Sequence, residues 1–415
     1  MRLLLPFLLL CPVACASAPD PFPRAVSKKG LQVELVDDAI ALGVKHAALN
    51  LNLTAFADLK GDPANPSWSV DGRVFRFRRD ALDRMDRQIR SLSDAGMLVY
   101  LIVLAYASPD AEVNRLVLHP RYDPKAPNHL GGFNTADEEG RLWFTAVLEF
   151  LADRWSRADG AHGRGVGWIL GNEINSHWFW YNLGRITLEE FTDEYLKAAR
   201  LAHAALRRRS PGARLYLSLE HHWGIRYPGG DERQAFPGRA FLDLFARKAR
   251  EGGDFDWHLA FHPYPENLFE PRFWNDRSAQ PREDTPRITF KNLEVLTAYL
   301  RRPELLWNGA PRRVILSEQG FHTPAGPEGE MIQAAAYCAA YKKVEALEGI
   351  DAFILHRHVD SDREGGLLLG LRRRTPGGVE TRARKRIYDC FRLAYTPEWE
   401  RAFEFALPVV GVRSW

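Results

Sequence analysis

Cysteine is scarce in this chain, four among 415 residues, and two of the four, Cys11 and Cys15, lie in an apolar amino-terminal stretch. A disulfide-stapled scaffold is therefore excluded. Cys338 and Cys390 fall in helix-like stretches far apart in sequence, and whether they pair stays open. An excess of one charge is also missing. Lys and Arg total 56 against 53 for Asp and Glu, a formal net charge of +3, so no broadly basic face and no nucleic-acid partner are expected. Beyond the amino terminus no apolar run approaches the ~20 residues that a membrane span requires. There is no repeat of fixed short period, no low-complexity linker and no composition break, which leaves residues 19–415 as one domain. No H-x-H follows the first strand-like run and no spaced ligand motif occurs elsewhere, so neither metal nor cofactor is expected.

What is present begins with "MRLLLPFLLLCPVACASAPD", where one Arg precedes an apolar run from Leu3 to Val13 and small residues at Ala14, Ala16 and Ala18. This reads as a secretory signal over residues 1–18, too short to span a bilayer, and places the mature chain outside the cytoplasm, secreted or periplasmic. "PVAC" also permits a lipidated Cys15, but Pro12 stands where such signals usually carry Leu, which favours plain secretion. The apolar fraction of 46% supplies a large core, and an aromatic share of 12% with twelve Trp suits stacking against sugar rings.

Along the mature chain, apolar runs alternate with amphipathic stretches. His46 to Leu53, Leu98 to Leu104, Gly165 to Leu170, Arg214 to Leu219, Trp257 to Phe261, Arg313 to Leu316 and Ala352 to Leu355 read as strands, with "GLQVEL", Gly30 to Leu35, as a weaker first. Leu142 to Trp155 and Leu188 to Arg208 are among the helices between them. Continuous apolar strands belong to a parallel sheet covered on both faces. Eight of them with intervening helices predict a (β/α)8 TIM barrel, an open doubly wound sheet being the alternative. Three long insertions leave the carboxyl ends of strands, the face on which such barrels carry their sites: a hairpin around Asp71-Gly72, a loop from Ser108 to Gly140, and a loop from His262 to Pro286. The runs "RRR", Arg207 to Arg209, and "RARKR", Arg382 to Arg386, read as solvated helix or helix-end charge.

Against that background "GWILGNEI" puts Asn172 and Glu173 at the carboxyl end of the fourth strand, and "VILSEQGF" puts Glu318 at that of the seventh. Either carboxylate alone is as readily a cap or an ion-pair partner. Two at the mouths of two strands are what glycosidic cleavage requires, one to protonate the leaving oxygen and one to attack the anomeric carbon or activate water. Aromatics follow Glu173 at Trp178, Phe179, Trp180 and Tyr181, either as sugar platforms or as rim packing. "SLEHHWG" ends the fifth strand with Glu220, His221, His222 and Trp223. Glu220 is a third strand-end carboxylate and a rival for either role. His221, His222, His262 and His356 are also the side chains that a metal-dependent barrel hydrolase would use, though without its spacing motif they read better as hydrogen-bonding partners of a substrate.

The stretches "GWILGNEI" and "VILSEQGF" resemble the strand-four and strand-seven motifs of clan A, the large clan of retaining (β/α)8 glycoside hydrolases, and the chain is closest to an uncharacterised bacterial branch of it. The resemblance covers about Gly30 to Ala394. It implies that Glu173 is the general acid/base, Glu318 the nucleophile, and Asn172 a partner of the sugar hydroxyl beside the anomeric carbon. "FHPYP" at the sixth strand is also similar, which implies that Tyr264 orients the nucleophile and that His262 lines the subsite. Two places depart from the clan pattern. An Arg after strand two is replaced by Asn50, Asn52 and Thr54, and a Trp after strand eight by His356, His358 and Asp360. The expected substrate is a poly- or oligosaccharide, contacted by Asn172, Trp178, His221, Trp223, His262, Tyr264 and His356. A carbohydrate-binding barrel without catalysis remains the third alternative.

Overall fold

The computed structural model of the chain describes residues 22–375 and 381–415. Its apolar runs form a closed barrel of eight parallel strands: β1 (Lys29–Gln32), β2 (His46–Asn52), β3 (Leu98–Leu104), β4 (Gly165–Leu170), β5 (Arg214–Glu220), β6 (Trp257–His262), β7 (Val314–Leu316) and β8 (Ile350–Leu355). They follow one another around the barrel in chain order, and β8 closes onto β1 with Leu31 beside Leu355. The expected (β/α)8 architecture is thus the observed one. The weak first strand is real but ends early, at Gln32. The stretch read as a secretory signal, with Cys11 and Cys15, lies outside the described residues. Among the described residues no helix is long and apolar enough to cross a membrane.

Helices cover the outside: α1 (Val36–Ala41), α2 (Arg79–Asp94), α3 (Glu138–Arg154), α4 (Leu188–Arg209), α5 (Gly238–Glu251), α6 (Glu294–Tyr299), α7 (Gly329–Ala346) and, after β8, α8 (Arg386–Leu393). Their boundaries follow from local chemistry. In α4 the Thr187 hydroxyl accepts from the Glu190 N–H while the Glu190 carboxylate accepts from the Thr187 N–H, satisfying amides that the first turn leaves without partners. At its other end Arg207, Arg208 and Arg209 are exposed beside the negative pole of the helix, as expected. The reading of "RARKR" needs correction. Much of it is strand (Thr381–Arg384), which pairs with Arg372–Arg374, and Lys385 is buried with its ammonium 2.8 Å from Asp360. A run of cations gives no signal of the carboxylate waiting for one of them.

Alternation of side chains along each strand decides what fills the barrel. Ala48, Tyr100, Ile102, Ile169, Tyr216, Ala260, Ile315, Ala352 and Ile354 pack together inside, and residues between them such as Leu49, Leu101, Leu217, Leu259 and Leu316 join the cluster shared with the helices. Phe22 is part of the inner cluster at the amino-terminal end, with the Arg214 guanidinium 4.1 Å over its ring. Leu104 and Leu130 belong to the same inner cluster, and Trp180 packs against it. Continuing the alternation to the carboxyl ends brings polar residues inward: Gln32, Asn50, Ser218, Glu220 and His262, then Ser317 and His356 one step past β7 and β8. Asn50 is exposed although it lies within a strand, so the mouth of the barrel is open at that level.

Of the three insertions, the first is the expected hairpin, Ser67–Val70 against Arg73–Arg76, turning at Asp71 (φ 48°) and Gly72 (φ 78°). The second contains a helix that the sequence reading did not anticipate, Ala111–Val117, capped by Asp110. The third is a run of short turns. Cys338 and Cys390 are both buried and free.

Candidate active site

The fourth strand delivers its carboxylate through a strained turn. Gly171 takes φ 78°, where an added Cβ would come within 2.6 Å of the Tyr181 ring, and Glu173 itself takes φ 40°, ψ 50°. A non-glycine residue in that left-handed region costs about 1–3 kcal/mol and persists only where neighbours hold it. Here the Glu173 N–H donates to Ser218 Oγ at 2.9 Å, and its carbonyl accepts from Ser176 N–H at 2.8 Å. The side chain is thereby aimed across the barrel mouth, where its Oε1 lies 2.9 Å from His262 Nδ1 at the end of β6. The other imidazole nitrogen of His262 lies 3.0 Å from Ser317 Oγ.

Glu318 follows Ser317 at the exit of β7. Its Oε1 is reached by the Tyr264 hydroxyl and its Oε2 by Gln32 Nε2, each at 3.4 Å. One ligand atom each from Glu173, His262 and Glu318 lies within 4.8 Å of the others. The two carboxylates that the sequence paired are therefore neighbours in space.

Burial raises the Glu173 carboxyl above the ordinary range, and the charges of Glu220 and Glu318 add to it against the pull of His262. Burial draws His262 down, yet its hydrogen bond to Glu173 and the surrounding carboxylates leave it raised. Both partners therefore hold protons more tightly than they would in water. Burial, then the charge of Glu318, also pushes up the Tyr264 hydroxyl, which keeps it a donor.

The third carboxylate is engaged elsewhere. Glu220 is buried and accepts from Asn175 Nδ2 (2.7 Å), Ser176 Oγ (2.8 Å) and the His222 backbone N–H (2.8 Å), with His222 Nδ1 2.6 Å away. Burial alone would raise it, but His222 outweighs that and brings it down to about 2. Glu220 thus anchors the 174–176 segment behind Glu173 and is not free to exchange roles with either member of the pair. Glu220, His221 and His222 also offer ligand atoms within 4.8 Å of one another. An ion there would have to replace the short Glu220–His222 contact, and the Glu173, His262 and Glu318 trio would have to give up its own.

The other expected contacts divide. Asn172 is half-buried beside Glu173, and Tyr264 is buried against Glu318. Trp178 is half-buried, its backbone N–H donating to Gln234 O. His221 is buried, and its Nδ1 has no hydrogen-bond partner. His356 turns its Nδ1 to Gln32 Oε1 at 2.7 Å and its Nε2 to Glu364 at 3.4 Å, joining the wall of the site. Trp223 requires correction. Its side chain is fully enclosed, donates through Nε1 to Glu283 O at 2.8 Å, and stands edge-on to Tyr299, so it presents no face to a ligand. The residue type suggested stacking, but the chain had already turned into the core by that position.

Sequence reasoning passed over Gln32, Ser218, Ser317 and Tyr106. All four follow from carrying strand alternation one step further along the strands. Tyr106 lies two residues past the third strand, is partly exposed, and has a hydroxyl raised by burial and then by the charge of Glu318.

Comparison with solved structures finds the same barrel in known enzymes. A family 39 glycoside hydrolase from Bacteroides cellulosilyticus WH2 is 14% identical with a TM-score of 0.52, the alignment covering 89% of this chain and 59% of that one. A β-glucosidase from Pyrococcus furiosus is 15% identical with a TM-score of 0.56, covering 91% and 86%. A family 1 β-glucosidase from Thermotoga maritima is 13% identical with a TM-score of 0.54, covering 86% and 84%. At these identities the likeness is one of fold. Comparison with curated proteins gives no match. Residues 21–415 match the profile of DUF5722, a family of unknown function, and the chain belongs to that family.

Proposed function

We propose that the protein is an exported glycoside hydrolase that cleaves O-glycosidic bonds of a poly- or oligosaccharide by double displacement, with Glu173 as general acid/base and Glu318 as nucleophile. The observation that carries this reading is the approach of the two carboxylates at the barrel mouth, with an oxygen of each within 4.8 Å of the other. Attack by a carboxylate calls for carboxyl groups about 5–5.5 Å apart, whereas admission of a water between them calls for about 6.5–9.5 Å. The enzymes that share the barrel are glycosidases by name, which supports the same reaction class.

The steps follow from the two environments. Glu173, raised by burial, protonates the departing glycosidic oxygen as Glu318 Oε attacks the anomeric carbon. The bond to the leaving oxygen breaks as the glycosyl ester forms. Esterification removes the negative charge of Glu318, so Glu173 no longer faces a carboxylate there and accepts a proton from water. That water attacks the anomeric carbon and releases Glu318. On this reading Asn172, Trp178 and His221 contact the sugar, and the exposure of Asn50 leaves the barrel mouth open to it.

A panel of aryl glycosides and natural oligosaccharides, tested with the parent, Glu173→Ala and Glu318→Ala, examines this reading. Glu318→Ala is expected to lose turnover of every substrate. Glu173→Ala is expected to lose natural substrates but to retain the first step on glycosides with an acidic phenol leaving group, which needs little protonation. Turnover that survives both substitutions and is abolished by a chelator points instead to a metal-dependent hydrolase. Binding without turnover in the parent points to a carbohydrate-binding barrel. Export is checked separately, by sequencing the amino terminus of the chain recovered outside the cytoplasm, with a start near residue 19 expected.

A further inference from the structure

Glu318 needs donors to hold it as a nucleophile, and among the described residues no Lys or Arg pairs with it; Asn50, Asn52 and Thr54 occupy the exit of β2. One donor, Tyr264, was expected, and the second is Gln32, at the inward-facing end of β1. Register explains its presence. Leu31 is level with Leu355, so the next residues, Gln32 and His356, stand side by side over the barrel mouth. His356 Nδ1 is 2.7 Å from Gln32 Oε1, His356 Nε2 is 3.4 Å from Glu364, and Glu364 is 2.6 Å from Arg357, which in turn lies 2.8 Å from Glu34.

Charge fixes the direction of every bond in this chain. A carboxylate only accepts, so the Gln32 amide must turn its NH₂ to Glu318 and leave its oxygen facing His356. That oxygen only accepts as well, so His356 Nδ1 must carry a proton. Glu364 is held down to about 2, first by its hydrogen bond from His356, against burial and with further help from Arg357. Glu364 faces the other ring nitrogen, Nε2, at 3.4 Å. The ring faces Gln32 from β1 and Glu364 from the loop after β8, with Glu318 beyond Gln32 and Arg357 paired to Glu364. Tyr264, from the exit of β6, feels the charge of Glu364.

We propose that Gln32 is a positioning residue for the Glu318 carboxylate, locked in its donating orientation by His356 and Glu364. This rests on reading Glu318 as the nucleophile. The relay takes the place of a cation at the nucleophile: it aims the attacking oxygen and supports its charge through an amide without neutralising it. Both contacts to Glu318, at 3.4 Å, are long for hydrogen bonds, and catalytic ones often tighten as substrate binds.

The test uses the full mature chain and the best aryl glycoside of the panel, with kcat, KM, the pH profile of kcat/KM and thermal unfolding measured for Gln32→Leu, His356→Leu and His356→Gln. A hydrogen bond to a charged group corresponds to about 10- to 100-fold in rate. Gln32→Leu and His356→Leu are expected to lose that much kcat, with KM within about twofold. The acid limb of their profiles moves to higher pH, because removing a donor weakens the charged form of a carboxylate. His356→Gln can still donate to Gln32 Oε1 and is expected to recover most of the rate. A rise in KM with kcat unchanged overturns the proposal in favour of direct sugar binding. A fall in rate that tracks lost thermal stability, with the acid limb unmoved and no recovery in His356→Gln, also overturns it. Turnover that survives Glu318→Ala overturns the nucleophile assignment itself, a result distinct from either.

Discussion

At the residue scale the site turns on three carboxylates with three different surroundings. Glu173 is raised by burial and shares a short contact with a raised His262, Glu318 is met by two neutral donors, and Glu220 is saturated by Asn175, Ser176 and His222. The last of these has a consequence for stability. A carboxyl group whose folded value lies below its unfolded value, about 4.3 for Glu, binds protons more readily when unfolded. Its contribution is therefore complete above that pH and is lost as pH falls toward the folded value, about 2 for Glu220. Comparing thermal unfolding of the parent and Glu220→Gln between roughly pH 6 and pH 3 isolates this term. The difference in melting temperature is expected to be large at the upper end and to shrink as the solution is acidified. A constant difference would mean that the Glu220 charge has no stabilising role.

The same three residues show how far the sequence speaks. Glu173 and Glu318 were legible because each follows an uninterrupted apolar strand, and the strand count set them three apart in a barrel. Glu220 looked equivalent, since it too ends an apolar strand. What separates it is the pair Asn175 and Ser176, folded back from the neighbouring strand's exit, and no spacing rule carries that contact. Trp223 failed for a related reason: residue type announces an aromatic, but only the turn after β5 decides that its ring faces Tyr299 and the core.

At the element scale the informative feature is the turn that leaves β4. Gly171 and Glu173 both adopt positive φ within three residues, and Tyr181, from the segment that follows, packs where a side chain on Gly171 would go. Gly171→Ala is expected to cost about 1–2 kcal/mol for the left-handed backbone alone, with the Tyr181 contact adding to it. Because Glu173 lies two residues on, kcat is expected to fall further than the folded fraction does. Thermal unfolding and steady-state kinetics on the same preparation check this. Unchanged kinetics at reduced stability would show that the turn supports the fold without aiming Glu173. Strand alternation also explains which site residues could have been found earlier. Tyr106, Ser218 and Ser317 occupy positions one inward step beyond the apolar Leu104, Tyr216 and Ile315, and Gln32 lies one inward step beyond Gly30, so the period that identified the core extends into the site. Glu364 has no such periodicity, and only the folded loop after β8 brings it in.

At the scale of the whole molecule, the barrel assigns separate tasks to its two ends. At the amino-terminal end Phe22 completes the inner cluster under the Arg214 guanidinium. At the other end the apolar filling stops at Leu104 and Leu130, and polar residues take over at an open mouth. The fold was legible from the apolar runs, because a parallel barrel repeats one pattern eight times. The sugar that the proposed function calls for was not legible, because its choice would depend on the shapes of loops that repeat nothing. The most direct test of the double-displacement reading is mass spectrometry of the chain after incubation with a 2-deoxy-2-fluoro glycoside of the best panel sugar, which slows release of a glycosyl ester more than its formation. The predicted result is one added glycosyl group on the peptide that contains Glu318, absent from Glu318→Ala. Turnover of the parent substrate with no adduct, or an adduct on a peptide without Glu318, would contradict it.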